Sequence, residues 1–501
     1  MKTLLNTVAL YLVVLLTFLT AACSQIQTPL EKSNFTELSN NKDMCSFLDE
    51  VSANKGELKT AIIGRTTEGR DIPAVFVSTD EYGTDTSKVK VLLFAQQHGN
   101  EQSGKEGALF LIKEIAEGKL DYLLDKIDLL IVPQVNPDGA DADKRRNGMD
   151  LDLNRNHLIL TAPETAALHK LFDLYLPEVT MDVHEYYPYS ESWTNFGAIK
   201  NFDEQFGSLT NPNTSQAIRE FSKKSFLPFI QKYMNERDFT FQEYIIGGPP
   251  TVERIRHSTF DINDGRQSFG SFGSFSLIME GKNGVESIDG IARRAEGQCA
   301  GMKGLLQFVY ENSEAIKKMV ADERSKLING ESDDPVAIQM EHIANGDELS
   351  LTLLSTQTNK DTVVTVKDYR PVVNSLYDVK KPLGYLIPKN DMVLAAWTKR
   401  HNLKSADIEK EEDYKLIQYF ITGIDSIDFE GDIVINPSLE ERNVNEKINL
   451  SEYLFLPTRQ LKGTFITQAL EPKSMIGLAT YKGYEYLVRQ NELYPILRVG
   501  K

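Results

Sequence analysis

Four short runs constrain this chain more than anything else in it. "KVKVLLFAQQ" starts at Lys88, "IDLLIVPQV" at Ile127, "PEVTMDVHE" at Pro177 and "GSFSLIMEG" at Gly273. Their apolar stretches are nearly unbroken, which is the pattern of a strand covered on both faces. Helical patterns fill the intervals: about Gly104–Glu117, a short piece near Leu120–Leu124, "PETAALHKLFDLYL" with Pro163 near its start, "SQAIREFSKKSFLPFIQKYMNERD", and Gly290–Glu323. "LKTAIIGRTTEGRDIPAVFVS" adds two alternating strands around a Gly turn. Strands alternating with helices over about Lys59–Ser325 predict one α/β domain around a parallel or mixed sheet.

The chain has 501 residues, too many for one average domain. Composition changes near "NGESDDP", Asn329–Pro335. Beyond it "ELSLTLLSTQ", "DTVVTVKDY", "GDIVINP" and "GTFITQAL" read as strands, with a helix expected near Asp407–Phe420. The expected division is a leader at 1–22, a tether at 23–41, an α/β domain at 42–328 and a β-rich C-terminal domain at 336–501. The leader reading rests on Lys2, a following apolar run and the small residues before Cys23. "LTAAC" resembles a bacterial lipobox, with Thr20 where Leu is usual. The expectation is export, as a periplasmic or cell-surface lipoprotein carrying lipid on Cys23, or alternatively as a secreted protein. The net charge of −17 argues against nucleic acid as a partner. In an oxidising compartment Cys45 and Cys299 either pair or stay as two separate thiols.

Polar clusters sit where the four strands end, the place where open α/β sheets gather ligands. His98 and Glu101 follow the first run; Lys144–Asn147, Asn154 and Arg155 follow the second; His184 closes the third and Glu280 the fourth. Each cluster alone is explained as well by a polar turn, a helix cap or a buried polar residue. Together they match a chemistry. A catalytic zinc takes three ligands from His and carboxylate and leaves a position for water, and His98, Glu101 and His184 supply that set. A carboxylate such as Glu280 takes the water's proton. One arginine near the site steadies an oxyanion, and another beside an Asn grips a carboxylate.

"HGNE", "VNPDG", "DLNRN", "DVHE" and "SLIME", in this order, resemble the signature of the zinc carboxypeptidase family, the M14 metallopeptidases, over roughly half the chain. The resemblance implies an α/β/α sandwich with a central mixed sheet, one Zn2+ ion and a peptide substrate. By the motifs, His98, Glu101 and His184 match the zinc ligands and Glu280 the general base. Asn154 and Arg155 match the pair that holds the substrate's terminal carboxylate. Arg145, adjacent to Arg146, matches the oxyanion residue by spacing. The implied activity is a carboxypeptidase-type zinc metallopeptidase; the alternatives are a zinc-dependent deacylase of N-acyl amino acids, a cell-wall peptide amidase, or a binding protein working through its C-terminal domain.

The chain departs from the family in its last loop. "RIRHSTFDINDGRQSFGSFG" lacks the usual covering Tyr, the nearest upstream being Tyr244, and His257 and Arg266 read as charged residues of a surface loop. Tyr186, Tyr187 and Tyr189 crowd the segment after His184. His169 reads as structural, His157 as a neighbour of the site, and Asp138, Asp141 and Asp143 as a solvated loop. If one of Arg254, Arg256 and Arg266 faces the pocket, acidic substrates are favoured by charge.

Overall fold

The computed structural model describes residues 26–331, 335–406, 408, 414–429, 431–445 and 447–500. The expected leader and Cys23 lie outside these residues. The central sheet has eight strands: Leu58–Arg65 (β1), Asp71–Val77 (β2), Val89–Ala95 (β3), Ile127–Val132 (β4), Val179–Tyr186 (β5), Glu204–Gly207 (β6), Phe241–Glu243 (β7) and Phe275–Lys282 (β8), in the order β1-β2-β4-β3-β5-β8-β6-β7. The middle strands β4, β3, β5 and β8 run parallel, while β1, β2 and β6 pair antiparallel. The sheet is therefore mixed, as the family resemblance implied.

The unbroken apolar runs are explained by burial on both faces. In β3, Val91, Leu93 and Ala95 join one hydrophobic cluster, with helices Asn41–Asn54 (α1), Gln102–Ala116 (α2) and Ile291–Glu311 (α5). The alternate residues Leu92 and Phe94 join the opposite cluster, with helices Pro163–Tyr175 (α3) and Gly265–Ser271 (α4). The result is a helix–sheet–helix sandwich.

The second cluster does not stop at the α/β part. It includes Tyr385, Trp397, Phe465 and Ile466, and the Trp397 indole donates to the Leu158 carbonyl at 2.9 Å. The C-terminal part contributes a five-stranded antiparallel sheet. A separate three-stranded sheet holds the strand Leu349–Ser355, which pairs with Ala198–Lys200, Leu353 opposite Lys200.

Three expectations are corrected. Residues 415–420, expected as helix, open the strand Lys415–Phe429, because antiparallel pairing on both sides buries Leu416, Tyr419 and Ile421. "GTFITQAL", expected as a strand, is the helix Gly463–Leu470, wholly buried, so its apolar run carries no period. Residues 26–40, expected as tether, pack on the domain: Leu30 is buried against Ile291 and Ala295, and Ser39 donates to the Glu106 carboxylate from its N–H and its hydroxyl, at 2.8 and 2.7 Å. Cys45 and Cys299 are both free thiols. Among the described residues no helix is long and apolar enough to cross a membrane.

Candidate active site

The parallel pairing brings the strand ends into one place. Glu280 of β8 is the register partner of His184 of β5, and β5 lies beside β3, which delivers His98 and Glu101 just past its end. Glu101 is the N-cap residue of α2, yet its side chain caps nothing. It turns to the histidines, and the helix N-terminus behind it favours its negative charge. Gly99 is obligatory between the two motifs it joins: a Cβ there would lie 2.0 Å from the Gly139 backbone. "NPDG" is a short helix start, with Asn136 Oδ1 accepting from Gly139 N–H at 2.9 Å and its amide donating to the Gln97 carbonyl at 3.0 Å.

His98, Glu101 and His184 offer ligand atoms that all lie within 4.8 Å of one another. His98 Nδ1 is 2.7 Å from Glu101 Oε1, His184 Nδ1 is 2.9 Å from Glu101 Oε2, and the two Nδ1 atoms are 3.2 Å apart. The outer nitrogens are occupied by carboxylates: His98 Nε2 faces Asp152 Oδ1 at 3.1 Å and His184 Nε2 faces Asp182 Oδ1 at 2.8 Å. A carboxylate that accepts the Nε2 proton leaves the Nδ1 lone pair turned inward, the arrangement of a metal-ligating histidine. Two inward lone pairs and a carboxylate call for a cation, so the donor set fits zinc.

The electrostatics agree. Burial opposes the charge on Glu101, yet His98 and His184 hold its carboxyl well below the usual range. Burial likewise opposes protonation of His184, yet Asp182 and Glu101 raise it well above the usual imidazole value. Positive charge between the rings is favoured. Glu280 differs: burial, with Glu101 and Asp182 adding and His184 and His98 opposing, pushes its carboxyl up to about 7. Among the described residues its carboxyl makes no hydrogen bond, so it is free to exchange a proton.

Arg145, and not Arg146, reaches this cluster. Its fork grips Asp152 (Nε and Nη2 to Oδ2, 3.0 and 2.9 Å), and Nη1 lies 3.2 Å from His98 Nδ1. Arg146 donates to the Asp150 carbonyl at 2.8 Å in solvent. Asn154 is engaged: its Nδ2 lies 3.1 Å from His184 Nε2, and its Oδ1 accepts from Gly265 N–H at 2.8 Å and from Gln97 at 3.2 Å. Arg155 donates to the Asn154 carbonyl at 2.8 Å and is otherwise exposed. Among the described residues, the free donors of this pair belong to Arg155.

His157 is wired to the site at one remove. Its Nε2 is 2.8 Å from Gln97 Oε1, its Nδ1 is 3.0 Å from His169 Nε2, and Gln97 donates to both Asp182 oxygens at 2.9 Å. Asp152 and Asp182 are the residues the sequence reading missed. Asp182 and His184 are two apart on one strand, hence on one face, a signal that was available. Arg266, expected on a surface loop, is fully buried. It ties the loop together through the Thr259 hydroxyl and Asp264, at 2.5 and 2.9 Å. Asp138, expected as solvated, is buried against Arg70 and Thr66, both at 2.7 Å. Tyr244 stands among the site charges: burial and Glu280 raise its hydroxyl well above the usual value, with Arg266 and Arg155 opposing.

Residues 44–222 match the family described as zinc carboxypeptidase. Carboxypeptidase 2 of Trichophyton tonsurans is 24% identical over 459 residues, spanning 87% of this chain and 81% of its own. Carboxypeptidase Z of Mus musculus is 29% identical over 122 residues, 21% of this chain and 19% of that one. Metallo-carboxypeptidase from Burkholderia cenocepacia superposes with a TM-score of 0.43 at 20% identity, over 55% of this chain and 70% of that one. The segment that holds the His98–Glu101–His184 cluster, with Arg145, Asn154 and Arg155, is thus the segment that matches the zinc carboxypeptidase family.

Proposed function

We propose that the protein is a zinc metallocarboxypeptidase that hydrolyses a peptide bond next to a free C-terminal carboxylate. The observation that supports it is the convergence of two imidazoles and a carboxylate within 4.8 Å, with Glu280 the register partner of one ligand. His98, Glu101 and His184 would hold the metal, which when bound supplies a Lewis acid and lowers the pKa of water. Glu280, unpaired and with its carboxyl at about 7, takes the proton of the attacking water at its free oxygen and returns it to the leaving amine. Arg145 steadies negative charge on the carbonyl oxygen from the edge of the cluster. Arg155 grips the terminal carboxylate with its exposed fork, and Asn154 holds the Gly265 N–H behind it. Export, with or without lipid on Cys23, belongs to the same reading, as does a C-terminal part serving as a second, β-rich domain.

Product analysis by mass spectrometry tests this. Zinc-loaded protein is offered free peptides, their C-terminally amidated counterparts and peptidoglycan stem peptides. Loss of C-terminal residues from the free peptides only is expected. Cleavage confined to stem peptides would instead indicate a cell-wall amidase, and no cleavage of any peptide would refute a peptidase.

A further inference from the structure

The arginines expected to read an acidic substrate are already occupied. Arg254 pairs with Asp368 at 3.5 Å, Arg256 with Glu253 at 3.5 Å, and Arg266 with Asp264 at 2.9 Å. The under-paired cation is a different residue, Lys200, beside the ring of Tyr186, which lies two residues past His184 on β5. It lies on the short strand Ala198–Lys200 and is 8% exposed. Its ammonium has three protons to donate, but the described residues give it one acceptor, the Ile245 carbonyl at a long 3.3 Å. The rings of Trp193 and Tyr186 stand 5.6 and 6.0 Å away, at the outer limit of a cation–π contact. It makes no salt bridge among the described residues.

A buried ammonium so poorly paired is costly unless something completes its shell. A purely structural lysine would be displaced outward or matched by a carboxylate. Two features hold this one in place. The C-terminal strand Leu349–Ser355 pairs Leu353 directly with Lys200, and Trp193, Ile199, Ile245, Leu351 and Leu353 close one hydrophobic cluster around it. Glu280 keeps the same 8% exposure, so neither group is fully sealed from solvent. Burial draws the ammonium down to about 8, with Glu280 and then Glu253 opposing, and it remains charged at neutral pH.

We propose that Lys200 is the specificity-determining cation of the site, selecting peptides with an acidic side chain next to the scissile bond. The C-terminal part of the chain builds the wall that holds it there. This rests on the peptidase reading above and extends it to a substrate class.

The test uses the full zinc-loaded chain and paired blocked peptides that differ only by Glu or Gln, at the C-terminal residue in one pair and at the preceding residue in the other. Wild type should prefer the acidic member of one pair by at least ~10-fold in kcat/KM. Lys200→Met should remove that preference by slowing the acidic peptide while leaving the neutral one within ~3-fold, and Lys200→Arg should keep part of it. Equal rates on both members of both pairs, or a Lys200→Met variant that loses both rates alike and keeps its preference, would overturn the proposal. Inhibition of wild type by free glutamate against glutamine, together with Lys200→Gln, keeps the question answerable if the Met variant does not fold. Stronger inhibition by the acid is expected, and equal inhibition with no substrate preference counts against the proposal. Cleavage of neutral peptides without any acidic preference would leave the peptidase reading standing and this one refuted. No cleavage of any free peptide would refute both.

Discussion

The His98–Glu101–His184 cluster and the arginine rim beside it are built on opposite terms. His184 and Glu101 keep 1% and 7% of their side-chain surface, and each ring nitrogen has a named partner. Arg145 keeps 45% and shares one carboxylate, Asp152, with His98. The cluster rests on parallel strands whose register is set by burial on both faces, so a one-residue slip would cost the whole core. The rim rests on the loop after β4, held by hydrogen bonds and the short "NPDG" helix. A metal site needs fixed geometry before the ligand arrives. Groups that read a substrate can adjust, and exposure leaves them room to do so.

The comparison breaks first at its buried half. Glu280→Gln should lower kcat/KM by ~10²–10⁴-fold while bound zinc, measured by elemental analysis, stays near one per chain. His184→Ala should lose both zinc and turnover. If Glu280→Gln loses zinc as well, the division between ligand and base is wrong.

The exposed half should respond more mildly and more selectively. Arg145→Ala is expected to cost ~10²–10³-fold, mainly in kcat. Arg155→Ala should instead raise KM for free peptides and narrow the difference between free and amidated substrates. Steady-state kinetics on both peptide forms separate the two, and indistinguishable profiles would refute separate roles. Below these comes Asp182→Asn, which keeps the shape and removes the charge behind His184 Nε2. Zinc affinity should fall by ~10–100-fold in a chelator competition, with kcat of the loaded protein little changed.

What could be read beforehand follows the same division. The strands and the convergence of His98, Glu101 and His184 were legible because a doubly buried strand leaves a continuous apolar run, and polar side chains just past the ends of neighbouring parallel strands face one another. The engagement of Asn154 with Gly265 was not legible, since it depends on a loop folding back onto the sheet. Lys200 was invisible for a stronger reason: its burial is created by Leu353, far along the chain, and no local pattern around "GAIKNF" announces it. Residues 415–420 were misread because a long antiparallel strand, buried on one side and irregular at Gly423, imitates helical spacing. Arg266 looked like a surface charge because its partners are two hydroxyls, a carbonyl and Asp264 two residues before it, none of which marks burial in sequence.

The wiring behind the cluster should have the smallest effect on turnover and a measurable one on stability. Burial pulls His157 down to about 4 from the ordinary 6.5, with Asp182 and Asp264 opposing. The folded chain therefore keeps the ring neutral where the unfolded chain protonates it. Its contribution is fully present above about 6.5 and is lost as pH falls through about 4, because the unfolded state binds the extra proton across that window. The full linkage is roughly 3 kcal/mol for this one ring. Other buried groups titrate there too: Glu204 is raised well above its ordinary value by burial and by Glu185, and it works in the opposite sense. The difference between wild type and His157→Gln isolates the ring, since glutamine can still hydrogen-bond to Gln97. Denaturant unfolding from pH 7 to 4 should show wild type losing stability more steeply than the variant, by up to one proton in slope. Parallel curves would mean that His157 takes up its proton in the folded protein as it does in the unfolded chain, and that burial does not hold the ring neutral.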